Sequence, residues 1–563
     1  MSSPDVTMLE HSNIAQALPE MAAQKPFQPA VIFPAGASRG GQARFIQYTF
    51  RQLDQLCDRT AHALTDYGIH KGMRVLLLVR PGVDLIGVTF ALFKMGAVPV
   101  IIDPGMGRRA FLRCVQDAQP GAFIGVPAAH LLRLFFPFAF RSVRRAVTVG
   151  RPAFWNAPAL ETLMPAHSQP FPAVPMPPDT ETAVAFTSGG TGIPKGVIFR
   201  QEMFQALLGL LRDEIGIQPG EVDLPGLYIF ALFGPALGVT EVFPDMDPTR
   251  PAKVDPASLV QSIQTHGVTY SFGSPVIWRR VAAYCLENGV RLPSLRRIFM
   301  SGAPVPPPLI QDYTRILEEG EVYTPYGATE ALPLTMMSGA EILAETAALS
   351  ASGGGMCVGR PVRGVAVRVI RITDEPIPLW DEGLVLPQGQ VGEIVAKGPI
   401  VTREYLNRPR ENALSKIREG DAVWHRMGDL GYFDEQGRLW FCGRKTHRLH
   451  TRQGLMLPVP CEAIFNQHPA VHRTALVGVG PSGEQTPVLV VEPKPGFFPR
   501  SRLALRTFSE ELLALGASHE VTRPIRQVLF YSRGFPVDVR HNAKIDRLKL
   551  AQWAAKRLKR IRG

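Results

Sequence analysis

The chain has 563 residues, of which 61 are Lys or Arg and 49 are Asp or Glu, giving a formal net charge of +12 at pH 7. Hydrophobic residues make up 45% and charged residues 20% of the chain, which are globular proportions and exclude a wholly disordered protein. Because the chain is several times the common domain size of about 100–200 residues, at least two hydrophobic cores are expected. Gly and Pro follow no period, which excludes collagen and simple repeats.

The cysteines and the chain start favour an ordinary intracellular enzyme. Six scattered cysteines form no Cys-x-x-Cys pair, which predicts reduced core thiols rather than a zinc or disulfide framework. His447 and His450 lack a third ligand at metal spacing, so no zinc site is predicted. No signal peptide opens the sequence, and no apolar run is long enough to span a membrane. We therefore expect a cytoplasmic protein.

Helices and strands alternate in the pattern of the first 340 or so residues. Apolar residues spaced three and four apart predict a helix that stops at Gly68, and continuous apolar runs predict strands covered on both faces. The elements predicted next are the strand Arg74–Val79, the helix Val83–Met95, the strands Ala97–Ile102, Thr182–Phe186 and Leu227–Phe230, the helix Pro256–His266, and the strands Val268–Phe272 and Arg297–Met300. This alternation predicts an α/β fold with mostly parallel sheets.

The rest of the chain has a different pattern. A Gly-rich loop is predicted over residues 350–356, and the short runs Val365–Arg371, Gly392–Ala396 and Arg438–Cys442 predict a small antiparallel β region. The elements predicted beyond Arg444 are the strands Ala475–Val479 and Val488–Glu492 and the helices Arg502–Leu515 and Asp546–Arg560. We therefore predict a large N-terminal domain over residues 1–444 and a small, mobile α+β domain over residues 445–563.

The segment Phe186–Val197 carries the strongest chemical signal. It reads Phe-Thr-Ser-Gly-Gly-Thr-Gly-Ile-Pro-Lys-Gly-Val, so hydroxyl groups, glycines and a lysine follow a predicted strand. Glycines let backbone N–H groups converge on an anion, and a lysine adds positive charge for phosphate oxygens. The alternative is a plain Gly-rich turn; a Walker A loop is excluded because Gly196 stands where Ser or Thr is required. The predicted phosphate-binding residues are Thr187, Ser188, Gly189, Gly190, Thr191, Gly192 and Lys195.

This loop resembles the signature of the adenylate-forming superfamily, which includes acyl-CoA synthetases, peptide-synthetase adenylation domains and luciferases. The signature is Tyr/Phe-Thr-Ser-Gly-Ser/Thr-Thr-Gly-x-Pro-Lys-Gly, and the chain departs from it once, at Gly190. Further segments resemble the superfamily in the same order along the chain. Ser301–Pro304 is similar to its adenine-side segment, which implies that Gly302 and Ala303 lie beside the base.

The segment Tyr326-Gly-Ala-Thr-Glu330 matches the superfamily's aromatic-Gly-x-Thr-Glu motif, which also places Gly327 at the nucleotide. The resemblance implies that Tyr326 stacks on adenine, that Thr329 contacts the α-phosphate and that Glu330 holds Mg²⁺. Mg²⁺ commonly takes one or two carboxylates together with phosphates, so a glutamate suits this position. Taken alone, Glu330 fits a helix cap equally well.

Three later positions complete the predicted ATP site. Met427-Gly-Asp429 stands at the superfamily's Thr-Gly-Asp, which implies that Asp429 accepts both ribose hydroxyls. By the same resemblance, Arg444 contacts the nucleotide and Lys544 bridges the carboxylate and the α-phosphate during adenylation. Taken alone, Asp429 fits the end of a turn and Lys544 fits a solvated surface charge.

The implied activity is the conversion of a carboxylate to an acyl-adenylate. The carboxylate attacks the α-phosphate of ATP, and pyrophosphate leaves. Because two anions must meet, Mg²⁺ and lysines are needed to offset their repulsion. The predicted catalytic residues are Lys195, Glu330 and Lys544, and the predicted cofactors are ATP and Mg²⁺.

The acyl pocket is predicted from the segment Phe230-Ala-Leu-Phe-Gly234. Superfamily acyl-CoA synthetases often carry an aromatic-His pair here, and the small Ala231 in place of the histidine leaves room for a branched or bulky acyl chain. A plain core role fits each predicted wall residue equally well. These residues are Phe230, Ala231, Phe233, Val276 and Trp278.

Within the superfamily, the chain is most similar to the olefin-biosynthesis β-lactone synthetases, on residues 445–450, 457–462 and 537–544. That resemblance implies that long-chain 2-alkyl-3-hydroxy fatty acids are adenylated and then closed to β-lactones by their own 3-hydroxyl. The alternative is a long-chain fatty acyl-CoA ligase that uses an external thiol. A third hypothesis, a catalytically silent binding module, is disfavoured by the retained Lys195, Glu330, Asp429 and Lys544.

Two basic segments indicate which kinds of partner the protein contacts. Arg141–Arg145 follows the apolar run Leu131–Phe140, and Arg547–Arg562 reads as a basic helix. These segments fit peripheral membrane or partner contact, with solvated surface charge as the alternative. No nucleic-acid-binding motif accompanies the positive charge, so no nucleic acid is predicted. The expected partners are the long-chain 3-hydroxy acid and a complex of pathway enzymes.

Overall fold

The structure, a computed structural model, describes residues 12–37, 43–151, 157–187, 194–537 and 545–562. Within these ranges, three large sheets and two small ones organise the chain. Two of the large sheets are mostly parallel and the third is antiparallel. The predicted α/β class, with an additional antiparallel region, is therefore confirmed.

The first large sheet ends in the hairpin that carries the predicted phosphate-binding loop. Its strands pair in parallel except for the last two, which are antiparallel. Ala122–Gly125 is buried at every position, as expected for a strand covered on both faces. The described strands, in spatial order, are Arg145–Thr148, Ala122–Gly125, Arg74–Leu78, Val98–Ile101, Glu181–Phe186 and Gly196–Arg200.

The second large sheet lies beside the predicted acyl segment. It is also parallel except at one edge, where the first two strands of the chain form an antiparallel pair. The described strands, in spatial order, are Glu321–Tyr323, Arg297–Met300, Tyr270–Gly273, Val222–Asp223, Thr240–Val242, Pro29–Ala37 and Ala43–Thr49.

The third large sheet is antiparallel and larger than the three short runs predicted. It places residues near 330 and residues near 430, which are far apart in the sequence, in the same sheet. The described strands, in spatial order, are Tyr326–Ala328, Ala331–Met336, Met356–Pro361, Leu439–Arg444, Ala422–Phe433, Gly392–Lys397 and Ala366–Ile370, with Lys416–Glu419 paired to Ala422–Phe433.

The residues after Arg444 form a compact α+β unit. Leu449–Thr451 pairs with Gly454–Met456, and Val471–Val479, Thr486–Pro493 and Gln527–Phe530 form a mixed sheet. Two clusters of buried apolar residues form within this region, and all their members lie between Leu449 and Leu558. The domain boundary after residue 444 and the mobility of the small domain stay predictions.

Capping residues mark the ends of several helices. Thr49 and Gln52 form a reciprocal capping box, and Gly267 and Gly289 take positive φ at helix C-termini. Every helix in the described ranges is too short or too polar to cross a bilayer. The α-helices are Ala17–Gln24, Phe50–Asp66, Val83–Lys94, Arg108–Ala118, Pro127–Phe135, Leu160–Leu163, Gln201–Asp213, Gly234–Leu237, Pro256–His266, Pro275–Asn288, Pro307–Ile316, Gly339–Glu341, Ala347–Leu349, Pro409–Ser415, Pro458–Phe465, Arg502–Ala517 and Arg547–Arg562.

Two local predictions are wrong. The segment predicted as the strand Leu227–Phe230 is a 3₁₀ helix, Tyr228–Leu232, in which the Phe230 N–H bonds to the Leu227 carbonyl. A short apolar run carries no period that separates a strand from a buried helical turn. The predicted loop over residues 350–356 contains the π-helical turn Ser350–Gly354 and then runs into the strand Met356–Pro361.

Candidate active site

The stem of the predicted phosphate-binding loop is held by two hydrogen bonds between Thr187 and Lys195. The Thr187 N–H donates to the Lys195 carbonyl at 3.0 Å, and the Lys195 N–H donates to the Thr187 hydroxyl at 3.4 Å. The antiparallel strands Glu181–Phe186 and Gly196–Arg200 therefore fix both ends of the loop. Five predicted phosphate ligands lie outside the described residues: Ser188, Gly189, Gly190, Thr191 and Gly192.

Lys195 lies on the face of an aromatic ring that the sequence analysis missed. Its Nζ is 4.6 Å from the centroid of the Tyr405 ring. Backbone contacts fix this neighbour, because Tyr405 forms a bridge with Val197 and the Leu406 N–H donates to the Gly196 carbonyl at 2.8 Å. A cation at a ring face is partly stabilised by the ring's π electrons, so Tyr405 positions the lysine charge near the loop stem.

Glu330 and Thr329 occupy the tip of a two-residue hairpin. Ala328 and Ala331 are register partners, so the hairpin leaves only these two residues between its strands. Gly327 is required here, since a Cβ at that position would lie 2.3 Å from the Ala331 carbonyl oxygen. The hairpin thus presents the predicted phosphate and metal contacts side by side.

Tyr405 also fixes the Glu330 carboxylate. Its hydroxyl donates to Glu330 Oε1 at 2.6 Å, and both side chains are buried. Burial, reinforced by the nearby carboxylate, raises the pKa of the Tyr405 hydroxyl, so this group stays a proton donor at neutral pH. The Thr402 N–H donates to the Glu330 carbonyl at 2.8 Å, which ties the same segment to the hairpin tip.

Lys416 is a second buried lysine at this site, and it too was missed. Its Nζ donates to the carbonyl of Thr402 and, at 3.0 Å, to the hydroxyl of the same residue. It also lies 5.3 Å from the Tyr405 ring centroid. Burial lowers the pKa of Lys416 to about 7; Glu330 opposes this shift and Lys195 adds to it. A polyanion bound beside these two lysines would favour the charged form of Lys416.

Asp429, Tyr326 and Arg444 form a second cluster on the antiparallel sheet. Asp429 and Arg444 are register partners on adjacent strands, and Arg444 Nη1 lies 3.1 Å from Asp429 Oδ1. The Tyr326 hydroxyl donates to Asp429 Oδ2 at 2.6 Å. Burial, with Asp429 adjacent, raises the pKa of Tyr326, whereas Asp429 raises the pKa of Arg444. Asp429 therefore contacts both of the other residues predicted to hold the nucleotide.

Replacing Asp429 by asparagine is expected to raise the KM for ATP by about tenfold or more, because a hydrogen bond to a charged group contributes about 1.5–3 kcal/mol. If Asp429 binds ribose, wild-type protein will disfavour 2′-deoxy-ATP and the variant will discriminate much less. Steady-state kinetics with both nucleotides checks this. Asp421→Asn, at an exposed position in the turn before the strand Ala422–Phe433, is the matched control. Undiminished discrimination in D429N would remove Asp429 from the ribose site.

The predicted acyl-pocket residues divide into two groups. Phe230, Phe233 and Val276 are partly exposed, whereas Ala231 and Trp278 are completely buried. Trp278 packs against Tyr313 in a different hydrophobic cluster from Phe230 and Phe233. Gly302 and Ala303, predicted beside adenine, follow the strand Arg297–Met300 and are partly exposed.

Phe230 begins an aromatic row that sequence reasoning did not find. Its ring stacks on Phe272 at 4.4 Å, Phe272 stacks on Phe299 at 4.7 Å, and Phe299 stacks on Tyr323 at 5.5 Å. The last three belong to adjacent parallel strands, and strand residues at matching register face the same side of a sheet. The sequence predicts strands that contain Phe272 and Phe299, but it does not show which rings become neighbours in the sheet.

A buried carboxyl pair lies behind the acyl segment. Asp223 and Glu241 are register partners on adjacent strands, and both are almost fully buried. Glu241 packs so closely against Gly234 that a Cβ there would lie 1.7 Å from Glu241 Oε1. Burial raises the pKa of both groups; Asp223 raises the pKa of Glu241 further, whereas Glu241 partly offsets the rise at Asp223, so the pair retains a proton near neutral pH.

Replacing Glu241 by glutamine is expected to flatten the pH dependence of stability. The wild-type folded state retains a proton that the unfolded chain releases above about pH 4, so its free energy of unfolding falls as pH rises, by about 1.4 kcal/mol per pH unit for one proton. The glutamine supplies that hydrogen permanently. Urea unfolding between about pH 5 and pH 8 measures both slopes, with the exposed Glu287→Gln as control. Equal slopes for wild type and E241Q would contradict a proton retained by Glu241 in the folded state.

Lys544, the predicted adenylation lysine, lies outside the described residues. Among the described residues, the structure brings two predicted groups together: Lys195 with Glu330, through Tyr405, and Tyr326 with Asp429 and Arg444. The first group suits phosphates and a metal ion, and the second suits a nucleoside.

Comparison with known proteins places the chain in a family. The AMP-binding enzyme family matches residues 18–406. An olefin beta-lactone synthetase of Stenotrophomonas maltophilia (strain K279a) is 45% identical over 557 residues, covering 97% of this chain and 99% of that protein. One of Xanthomonas campestris pv. campestris is 45% identical and covers 96% of this chain and 97% of that protein. The solved amide bond synthetase McbA from Marinactinospora thermotolerans shares the fold, with a TM-score of 0.76 at 23% identity over 96% of this chain and 99% of that one. This chain therefore belongs to the AMP-binding enzyme family.

Proposed function

We propose that this chain is an ATP-dependent, AMP-forming ligase that converts long-chain 2-alkyl-3-hydroxy fatty acids to β-lactones in long-chain olefin biosynthesis. The observation that carries the proposal is 45% identity, over 97% of the chain, to a protein named olefin beta-lactone synthetase. The grouping of Lys195 with Glu330, and of Asp429 with Tyr326 and Arg444, supports the adenylating half of the reaction.

In the first half, a carboxylate oxygen attacks the α-phosphorus of ATP. A new P–O bond forms, the bond between the α-phosphorus and the bridging oxygen breaks, and pyrophosphate leaves with that electron pair. Lys195, Lys416 and Lys544 supply positive charge for the phosphate oxygens, while Asp429 and Tyr326 hold the nucleoside. Positioned cations lower the barrier because charge moves between phosphate oxygens in the transition state.

Glu330 suits a magnesium ligand. It presents a carboxylate at a hairpin tip, with one oxygen oriented by Tyr405, and carboxylate oxygens are the ligands Mg²⁺ prefers. In the part of the chain that the structure describes, no cluster of three or more His, Cys, Asp and Glu side chains is placed to hold a metal. A single carboxylate with phosphate oxygens is a common Mg²⁺ arrangement, and the ion offsets phosphate charge when bound.

In the second half, the 3-hydroxyl oxygen of the bound acid attacks the activated carbonyl carbon. A C–O bond closes the four-membered ring, the bond to the AMP oxygen breaks, and the hydroxyl proton passes to solvent. An internal nucleophile held near the carbonyl has a high effective molarity, and release of AMP offsets the ring strain. The partly exposed Phe230, Phe233 and Val276 are the proposed walls for the acyl chain.

The test is product analysis without coenzyme A. Purified protein is incubated with ATP, MgCl₂ and a 2-alkyl-3-hydroxy acid, and the matched control is the 2-alkyl acid that lacks the hydroxyl. We expect lactone and AMP in equal amounts from the hydroxy acid, and an adenylate without lactone from the control. An adenylate that waits for added coenzyme A with both acids would favour the acyl-CoA ligase, and absence of any pyrophosphate release would favour a silent binding module.

We also propose the wider setting. The small C-terminal domain carries Lys544 and moves it into and out of the site, the enzyme works in the cytoplasm, and its acid substrate reaches it from a preceding enzyme of the same pathway, in a complex with it. Size-exclusion chromatography of the native protein from its own cells, with identification of the proteins that co-elute, tests the complex. No nucleic-acid partner is proposed.

A further inference from the structure

An exposed apolar patch lies on and just after the helix Pro127–Phe135, outside the site described above. Four large side chains within eight residues face solvent: Leu131 is 39% exposed, Leu134 49%, Phe135 72% and Phe138 56%. Leu131, Leu134 and Phe135 follow the i, i+3, i+4 spacing of one helix face. We call these four residues the aromatic patch.

The exposure is unusual because this helix already has a buried side. Ala129 and His130 are buried on the helix, and Ala139 and Phe140 are buried after it. A surface helix normally turns polar residues toward water, so a second apolar face is not required by the core. Contiguous exposed apolar residues on a soluble protein commonly mark an interaction surface.

The surroundings of the aromatic patch are positive. No Asp or Glu occurs between Asp117 and Glu161, whereas this segment contains Arg133, Arg141, Arg144, Arg145 and Arg151. Arg141 and Arg144 are exposed and follow Phe138 by three and six residues. From outside the segment, the exposed Arg108 reaches the patch, with its guanidinium 5.4 Å above the ring of Phe136, and that ring in turn contacts Phe138. Arginines therefore flank the patch along the chain, and Arg108 contacts it through Phe136.

We propose that the aromatic patch docks the protein on the surface of an anionic lipid bilayer. Phe and Leu side chains insert at the boundary between headgroups and acyl chains, and the flanking arginines bind lipid phosphates. This occupant fits better than a protein partner, because stable protein interfaces use about 20–30 residues a side with few charges at their core. Insertion at a lipid surface needs only a few large apolar groups and flanking arginines.

Docking on a bilayer would bring the enzyme to its water-insoluble acid substrates. Long-chain 3-hydroxy acids partition into bilayers, so a docked enzyme meets them at high local concentration. The inference rests on the proposed function only for this benefit; the docking itself depends on the patch and its arginines. The two can therefore fail separately.

The experiment is vesicle flotation with the full chain. Wild-type protein is mixed with vesicles of phosphatidylcholine alone or of equal parts phosphatidylcholine and phosphatidylglycerol, at about 0.05 M and about 0.5 M NaCl. We expect binding to the anionic vesicles at low salt and weaker binding in the other conditions. Phe135→Ser with Phe138→Ser should weaken binding by at least about tenfold, and Arg141→Gln with Arg144→Gln by about thirtyfold.

Matched controls come from exposed positions elsewhere. Phe27→Ser with Phe497→Ser removes two phenylalanines of 77% and 56% exposure, and Arg523→Gln with Arg526→Gln removes two exposed arginines at the same spacing. Both controls should float as wild type, and ATP–pyrophosphate exchange with a soluble acid should be normal in all variants. Absence of wild-type binding, unchanged binding of the patch variants, or equal losses in the controls would overturn the proposal. A dimer that the patch variants abolish, with no vesicle binding, would overturn it in favour of a second copy of this chain.

Discussion

Substituting Lys195 and Lys544 together by methionine is expected to lower ATP–pyrophosphate exchange by at least about a thousandfold. Single positioned donors at a charge-developing centre contribute about a hundred- to a thousandfold in rate, and these two lysines are proposed to act on the same transferring phosphoryl group. Lys195 already lies at the loop stem, with its Nζ 4.6 Å from the Tyr405 ring. Methionine keeps the unbranched apolar stem of each side chain and most of its length while removing its charge.

The two single variants distinguish the role of Lys195 from that of Lys544. K195M should weaken both ATP binding and turnover, because Lys195 belongs to the phosphate-binding loop, whereas K544M should lower turnover more than ATP binding. Lys494→Met, at an exposed position, is the matched control and should leave exchange unchanged. A double variant that consumes ATP at the wild-type rate would refute the proposed adenylation site and, with it, the proposed function.

The fold was largely predictable because its apolar patterns are local. The helix Pro256–His266 and the strand Arg297–Met300 occur with the predicted bounds, since Asp255 and Gly267 mark the helix ends and the strand is a continuous apolar run. Leu227–Phe230 has the same kind of run and forms a 3₁₀ helix instead. That choice depends on packing against the neighbouring sheet, which no local pattern encodes.

The candidate site was predictable only where residues lie in motifs. Lys195 was found from the chemistry of its Gly-rich loop and Glu330 and Asp429 through the resemblance, whereas Tyr405 and Lys416 belong to none of these motifs. Tyr405 is 75 residues from Glu330 and 210 residues from Lys195 along the chain, and only the pairing of strands brings them together. The lowered pKa of Lys416 arises from burial, which the sequence does not show for a lysine in a polar segment.

The carboxyl pair Asp223–Glu241 shows the same limit. Each residue alone is an acidic residue in a short strand, and acidic side chains are mostly exposed to solvent in folded proteins. Their register across adjacent parallel strands makes them neighbours, and Gly234 leaves the space that Glu241 fills. A buried carboxyl pair with raised pKa values is therefore a property of the sheet rather than of either segment.

Replacing Tyr405 by phenylalanine is expected to raise the Mg²⁺ concentration that gives half-maximal adenylation by about tenfold. The ring remains, so the contacts with Lys195 and Lys416 persist, and only the hydroxyl that donates to Glu330 Oε1 is lost. A hydrogen bond to a charged group contributes about 1.5–3 kcal/mol. Without the donor, the Glu330 carboxylate is less well oriented, so part of this free energy is lost from Mg²⁺ binding. Excess Mg²⁺ should restore most of the activity.

Glu330→Gln should behave differently, because it removes the charge itself. We expect a loss of about a hundred- to a thousandfold in turnover that excess Mg²⁺ does not restore. Tyr313→Phe is the matched control, since its buried hydroxyl donates to the Trp278 carbonyl at 2.7 Å and lies in another cluster. It should lower stability without changing the Mg²⁺ requirement. If Y405F and Y313F both leave that requirement unchanged, Tyr405 supports the segment around Thr402 but does not orient a metal ligand, and the Mg²⁺ site must be sought away from Glu330.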